Sequence, residues 1–364
     1  MPDSNATDKS NQKDFDDKQR EKLRRKRKRE RLQEARKRRL ERGSTSVETV
    51  KKAVRARKNP VKRGLGAYKQ QRDREQNIKK QQFLKASNQV RNRDWSKHRL
   101  TDAEKAQRVQ RMRTELDRAE QDIERKKQEI KKLEKEVEKW ENYSVPDSQK
   151  QRMIAQKQKM IADRESDIKK KQEFVKDTKK TLNKAEEQAA KDKHLNKDEI
   201  AGVCNYTGSR YKRMNALLRG DYKTFEENLQ PGETMEEALA STRQDIELAN
   251  SSLDKLPAYQ GEDGKPPIVH RGSNLPPEVV DKYEPGQEVT EEAFTSTSTA
   301  AESAYQKNTK FEIYSKNGKE IKNYSQYPNE KEVVFPPGTK FKVLEKTTDK
   351  DGNVHIKMVE VEED

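Results

Sequence analysis

Tyr327-Pro328-Asn329-Glu330-Lys331-Glu332-Val333-Val334-Phe335 runs from a proline turn, through two carboxylates, into a short apolar block. A brief apolar run bounded by turn signals reads as a buried strand, here Glu332–Phe335. Comparable runs surround it at Ile268–Arg271, Phe294–Ser298, Phe311–Ser315, Phe341–Glu345 and His355–Glu360. Before them, Lys197–Arg219, Asp221–Asn228 and Thr234–Leu253 carry helical patterns. Helices first and strands after predict an α+β domain over residues 196–364, long enough to bury its own core. Residues two apart on a strand share a face, so Glu330 and Glu332 are expected to address one site together.

Further towards the N-terminus the text changes character. Residues 101–195 read as a helical hairpin of coiled-coil type. Val109, Met112, Leu116, Ala119, Ile123, Ile130, Leu133, Val137 and Trp140 follow a three-four spacing that only Lys126 breaks. Ser144-Val145-Pro146-Asp147 turns the chain, and Ile154, Ile161, Ile168, Val175, Leu182 and Ala189 resume at a seven-residue period. This stripe is read as core, with spacing, self-association or docking as its function. Residues 1–100 form a basic arm, disordered over 1–19 and helical from Glu21 to Arg42. A hinge is expected at Pro60, Gly64 and Gly66, with a second helical piece around Arg72–Val90.

Charge separates these regions. Residues 1–100 hold 34 Lys and Arg against 13 Asp and Glu, whereas residues 196–364 hold 22 against 31, so the net charge of +17 resides in the arm. Three readings fit the arm: a solvated charged helix, a nucleic-acid or other polyanion-binding segment over residues 20–100, or a nuclear-type localisation signal. A hydrophobic content of 29% against 40% charged residues excludes one large core for the chain. The single cysteine, Cys204, excludes an intrachain disulfide framework and a cysteine-based metal site, and it reads as a helix-face filler. No apolar run approaches the roughly 18 residues of a membrane span, and the polar N-terminus predicts no Sec-type signal. The four histidines have no metal-ligand spacing. No glycine-rich phosphate loop is present.

Three motifs in the strand-rich part, and one in the first helix, carry a resemblance. Arg271 stands in Val269-His270-Arg271-Gly272; Phe294-Thr295-Ser296-Thr297-Ser298 forms an aromatic-x-Ser-Thr-Ser strand; Glu330-Lys331-Glu332 follows Tyr327. Tyr206-Thr207-Gly208, Tyr211, Asn215 and Leu218-Arg219 occur in order upstream. With these four, residues 195–364 resemble the arginine-directed mono-ADP-ribosyltransferases, especially the enzymatic components of binary toxins and related phage and toxin domains. The arm and hairpin lie outside the resemblance.

The resemblance implies a core of N-terminal helices plus a mixed or antiparallel two-sheet structure, with NAD as substrate and no metal. It implies that Glu332 is the catalytic glutamate and that Glu330 orients the acceptor guanidinium beside Tyr327. Ser296 would fix Glu332, and Arg271 would clamp a phosphate of the dinucleotide. Gly272, Tyr206, Tyr211, Asn215, Arg219, Thr297 and Ser298 would contribute to the NAD site. Binary-toxin enzymes often carry a second polar or basic residue after the arginine, where this chain has Gly272, Ser273 and Asn274. The residue packing near nicotinamide is Tyr305, Lys310 or Phe311.

Independent chemistry fits these roles. Cleaving the nicotinamide–ribose bond develops positive charge on the sugar, which a nearby carboxylate stabilises. A planar guanidinium matches a carboxylate. The expected activity is therefore transfer of ADP-ribose from NAD to an arginine of a target protein. The alternatives are NAD glycohydrolase activity, with water as acceptor, and a nucleic-acid-packing or structural protein with an inactive transferase domain. The expected setting is the producer's cytoplasm, a virion, or a host cell reached as an effector.

Overall fold

The computed structural model describes residues 60–95, 97, 99–261, 267–304 and 307–361. The basic run at 21–42 and Tyr305 lie outside the described residues. The chain divides into two units, Met1–Glu75 and Gln76–Asp364. Helix α1, Pro60–Arg91, begins at a proline, which is tolerated where a helix starts because its missing N–H has no partner there. The expected hinge at Pro60, Gly64 and Gly66 is therefore helix.

In the second unit, helices α2 (Asp102–Glu141) and α3 (Asp147–Ala189) form the hairpin. Thr101 starts α2 with a capping box: its hydroxyl accepts from the Glu104 N–H, and its own N–H donates to Glu104. Lys126, the polar break in the stripe, is satisfied across the hairpin by Asp167 at 2.5 Å. Arg164–Glu129 and Lys157–Glu136 stitch the outer part in the same way. The stripe is unevenly buried. Met112, Leu116 and Leu182 near the root are buried, whereas Ile130, Val137 and Ile154 towards the tip are only partly covered.

The root is better buried because further helices cover it: α4 (Lys197–Asn205), α5 (Tyr211–Arg219), α6 (Tyr222–Glu227) and α7 (Met235–Leu253). One continuous core joins Phe83, Trp95, Met112 and Leu182 to Ile200, Leu217, Phe225 and Ile246. The Lys197–Arg219 segment, expected as one helix, is interrupted at Tyr206–Arg210 by a wider π-type turn in which Gly208 takes ψ −159°. A Cβ at Gly208 would lie 2.7 Å from Gln326 Nε2, so a larger residue here would displace the Gln326 side chain.

Strands β1 (Ile268–Ser273), β2 (Glu288–Glu291), β3 (Thr295–Ser298), β4 (Thr309–Tyr314), β5 (Lys319–Glu320), β6 (Glu332–Phe335), β7 (Thr339–Thr348) and β8 (Val354–Glu360) pair in the order β2-β7-β8-β4-β1-β3-β6-β5. Only β4–β8 is parallel. All eight lie in one sheet, where the resemblance implied two; its narrowest join is β1–β3, with the single register pair His270–Ser298. β2 and β5, short and polar, were not legible as strands. β6 is buried throughout because both its faces are covered. Val334 joins the helical core, whereas Val333 and Phe335 join a second core with Phe311, Phe341 and Ile356. Strand alternation therefore turns Glu332 with Val334 towards the helical layer.

Candidate active site

Glu332 is the first residue of β6 and is only 6% exposed. Ser296, on the neighbouring β3, donates its hydroxyl to Glu332 Oε1 at 2.6 Å. In the ladder Ser296 faces Val334, so it reaches Glu332 along the diagonal of the antiparallel pair. Burial pushes the Glu332 carboxyl up; the Ser296 hydroxyl opposes this and the Glu330 charge adds to it, leaving it at about 7.

Glu330 reaches this site by a different route from the one strand periodicity implied. It does not lie on β6: Pro328–Glu330 form a 3₁₀ turn, and Lys331 takes a left-handed conformation at φ 47°. Pro328 fixes the turn and breaks the strand ladder ahead of Glu332. The turn is held from outside. Ser298 Oγ donates to the Glu330 carbonyl at 2.7 Å, and the Thr299 N–H donates to the Lys331 carbonyl at 3.1 Å. The result is one exposed carboxylate and one buried carboxylate, near enough for the first to raise the second.

Ser-Thr-Ser thus divides its labour. Ser296 touches the buried carboxylate. Thr297, itself buried, donates to the Val333 carbonyl at 2.6 Å, and Ser298 holds the turn. Thr297 and Ser298, expected among the NAD-site residues, spend their hydroxyls on the backbone that carries the two glutamates.

The π-type turn brings Tyr206 against this strand pair. Its ring packs on Phe294 at 4.9 Å between centroids, and it is 3% exposed. Burial raises the Tyr206 phenol, and Glu332 raises it further, while Asn215, Arg271 and Arg219 act in the opposite sense. Tyr206 therefore lies within electrostatic reach of Glu332, Asn215, Arg271 and Arg219. Asn215 is buried and its Oδ1 has no hydrogen-bond partner. Arg271, on β1, donates to the Ser296 carbonyl at 3.3 Å; among the described residues it has no carboxylate within ion-pair reach. Arg219 is exposed at the end of α5, and Gly272 is partly exposed beside Arg271. Tyr211 is 43% exposed. Tyr283 had no sequence signal; it also senses Arg271 and Arg219, and its hydroxyl donates to Glu291 at 2.5 Å.

Of the residues expected near nicotinamide, Phe311 is buried against Tyr283 in the second core, and Lys310 lies 4.0 Å from Asp349. Cys204 is buried and its thiol is pushed up to about 11 by that burial, consistent with a core filler.

The family described as NAD:arginine ADP-ribosyltransferase matches residues 97–364. The chain belongs to that family. The match begins ahead of the hairpin, so the family includes the hairpin as well as the sheet domain.

Among the relatives of this ADP-ribosyltransferase family member, Mav of Mycobacterium avium (strain 104) carries a provisional NAD(+)–arginine ADP-ribosyltransferase name. It is 39% identical over 172 residues, 46% of this chain and 18% of that protein. The NAD(+)–protein-arginine ADP-ribosyltransferase Tre1 of Serratia proteamaculans (strain 568) is 30% identical over 163 residues, 44% of this chain and 32% of that protein. The chain thus spans well under half the length of both. Among solved structures, the type III effector XopAI from Xanthomonas axonopodis pv. citri has a TM-score of 0.44 and 16% identity, covering 78% of this chain and 97% of that one.

Proposed function

We propose that this protein transfers ADP-ribose from NAD to the guanidinium of an arginine on a target protein, releasing nicotinamide. The observation that carries the reading is the Ser296–Glu332 contact of 2.6 Å in a buried strand, with the Glu330 carboxylate presented on the adjoining turn. Contacts suited to NAD stand near Tyr206. The unpartnered Asn215 Oδ1 offers an acceptor, and Arg271 and Arg219 offer cations to a diphosphate.

In this reading Glu332, as a carboxylate, holds the ribose and stabilises the positive charge that develops as the bond to nicotinamide breaks. Ser296 fixes its orientation. Arg271 clamps a phosphate, with Arg219, Tyr206, Asn215, Tyr211 and Gly272 lining the dinucleotide's other contacts. Glu330 pairs with the acceptor guanidinium and takes up its proton as the new N-glycosidic bond forms, and Tyr327, 48% exposed, flanks it.

The basic segment 20–100 is assigned to polyanion docking on its charge alone. Self-association through the hairpin gains nothing from the seam, which is paired within one chain. Delivery into a second cell, as an effector or within a particle, is proposed with the activity; among the described residues no helix is long and apolar enough to cross a membrane.

The test is incubation with NAD labelled in the adenylate and with agmatine, a free guanidino compound. Equimolar nicotinamide and ADP-ribosylated agmatine are expected. Nicotinamide release with no label on agmatine would instead make the protein an NAD glycohydrolase.

A further inference from the structure

The loop that carries Tyr327 and Glu330 is held by the hairpin. Lys180, on α3, donates from Nζ to the Gln326 carbonyl at 2.7 Å, and the same ammonium lies over the Tyr327 ring, 4.5 Å from its centroid. One turn around α3, Gln326 Nε2 donates to Thr181 Oγ1 at 3.0 Å and to the Asp177 carbonyl at 3.4 Å. The Asp177 carboxylate accepts from the Ser209 N–H at 2.8 Å, and Thr207 Oγ1 accepts from the Gln326 N–H at 2.9 Å. Gln326 is therefore gripped from two sides, by α3 and by the π-type turn, immediately before the acceptor-side residues. Among the described residues the hydrogen bond and ring contact of the Lys180 ammonium both go to this loop and none to α2.

We infer that Lys180 is a positioning residue for the acceptor: it sets the 325–330 loop so that Tyr327 and Glu330 meet the incoming guanidinium, while leaving the NAD-cleaving centre alone. The inference rests on the transferase reading above. Two features separate the acceptor side from the cleaving side. Glu332 is fixed by Ser296 on β3, within the sheet, and among the described residues no hydrogen bond or ion pair joins it to α3. Glu330 and Tyr327 lie on an exposed turn whose upstream anchor is Gln326, so a displaced Gln326 moves them first. A charge-assisted bond to a carbonyl and a cation held on an aromatic face are both among the stronger contacts available to a partly exposed side chain. This makes α3 of the hairpin one wall of the acceptor site.

The experiment compares wild type, Lys180→Met, Lys180→Arg and Thr181→Val in two assays: NAD cleavage with water as acceptor, and transfer to agmatine. For Lys180→Met the KM for agmatine rises about 10-fold, whereas the KM for NAD and the rate of cleavage by water stay within about 2-fold. Lys180→Arg restores the agmatine KM, because a guanidinium also donates to a carbonyl and stacks on a ring. Thr181→Val, which leaves the Lys180 contacts in place, raises it by a smaller factor. An unchanged agmatine KM in Lys180→Met overturns the inference, as does an equal fall in cleavage and transfer, which would make the contact purely structural. Failure of the wild type to modify agmatine is a different result: it overturns the transferase reading and this inference with it.

Discussion

Glu332 is where burial and chemistry pull against each other. A carboxyl raised from 4.5 to about 7 by burial, and by the charge of Glu330, is half protonated near neutrality. Only the carboxylate stabilises developing positive charge, so NAD cleavage should rise with pH through an apparent pKa near 7. Removing the Ser296 hydroxyl, which favours the ionised form, should move that limb to higher pH in Ser296→Ala. Stability has the opposite sign. Between pH 4.5 and 7 the native state holds a proton that the unfolded chain releases, so the group's contribution is present below pH 4.5 and lost as pH rises through 7. Glu332→Gln should therefore raise the unfolding free energy at pH 8, by at most about 3 kcal/mol, and leave it unchanged at pH 4. Denaturant titrations at the two pH values check this.

Ser296, Glu332 and Arg271 were expected together through the family resemblance, and the structure puts the Ser296 hydroxyl on Glu332 and the Arg271 guanidinium on the Ser296 carbonyl. The position of Glu330 was not legible. Strand periodicity put it on the face of Glu332, and the structure supplies a 3₁₀ turn and a left-handed Lys331 instead. Pro328 was the available signal for that break. No signal marks a lysine at φ 47°, a conformation that non-glycine residues adopt only when their surroundings over-determine it. Lys180 was equally silent: in a hairpin full of lysines, its partner on a distant loop has no local mark.

Among elements, the junction of α2, the π-type turn and α7 carries a buried network of charges. Asp245 on α7 accepts from Arg108 on α2 at 2.7 Å and from Arg210, in the π-type turn, at 2.9 Å. Both arginines also pair with Glu115. Burial alone would raise the Glu115 carboxyl, but Arg210 and Arg108 outweigh it and hold it at about 2. Asp245→Ala would leave two buried guanidiniums sharing one carboxylate. A loss of about 3–5 kcal/mol is expected by equilibrium unfolding, since breaking a buried ion network strands its charges. The helical hairpin was readable from its stripe, because a seven-residue apolar period admits little else. That its root belongs to the core of the sheet-bearing lobe was not readable: the period is the same whether the stripe meets one helix or several. The π-type turn escaped for a related reason, since a glycine inside a helical pattern does not by itself announce a break.

In the second unit, β3, β6 and the π-type turn meet around Glu332 and Tyr206, and α3 holds the loop that leads to Glu330. In the proposed function, the NAD-side and acceptor-side residues thus rest on different supports. Glu332 depends on β3 and β6, and Glu330 depends on a turn braced by β3 and, through Gln326, by α3. In the proposed function Glu330 serves the acceptor and Glu332 serves bond cleavage. The direct measurement is the ratio of agmatine modification to water-driven NAD cleavage in Glu330→Gln. Removing that charge lowers the Glu332 carboxyl and does not impair cleavage, so cleavage at pH 7 should stay within about 3-fold of wild type. Transfer to agmatine should fall by about 100-fold or more, the scale of losing a positioned base. Parallel loss of both activities, or transfer that survives without Glu330, would contradict the account.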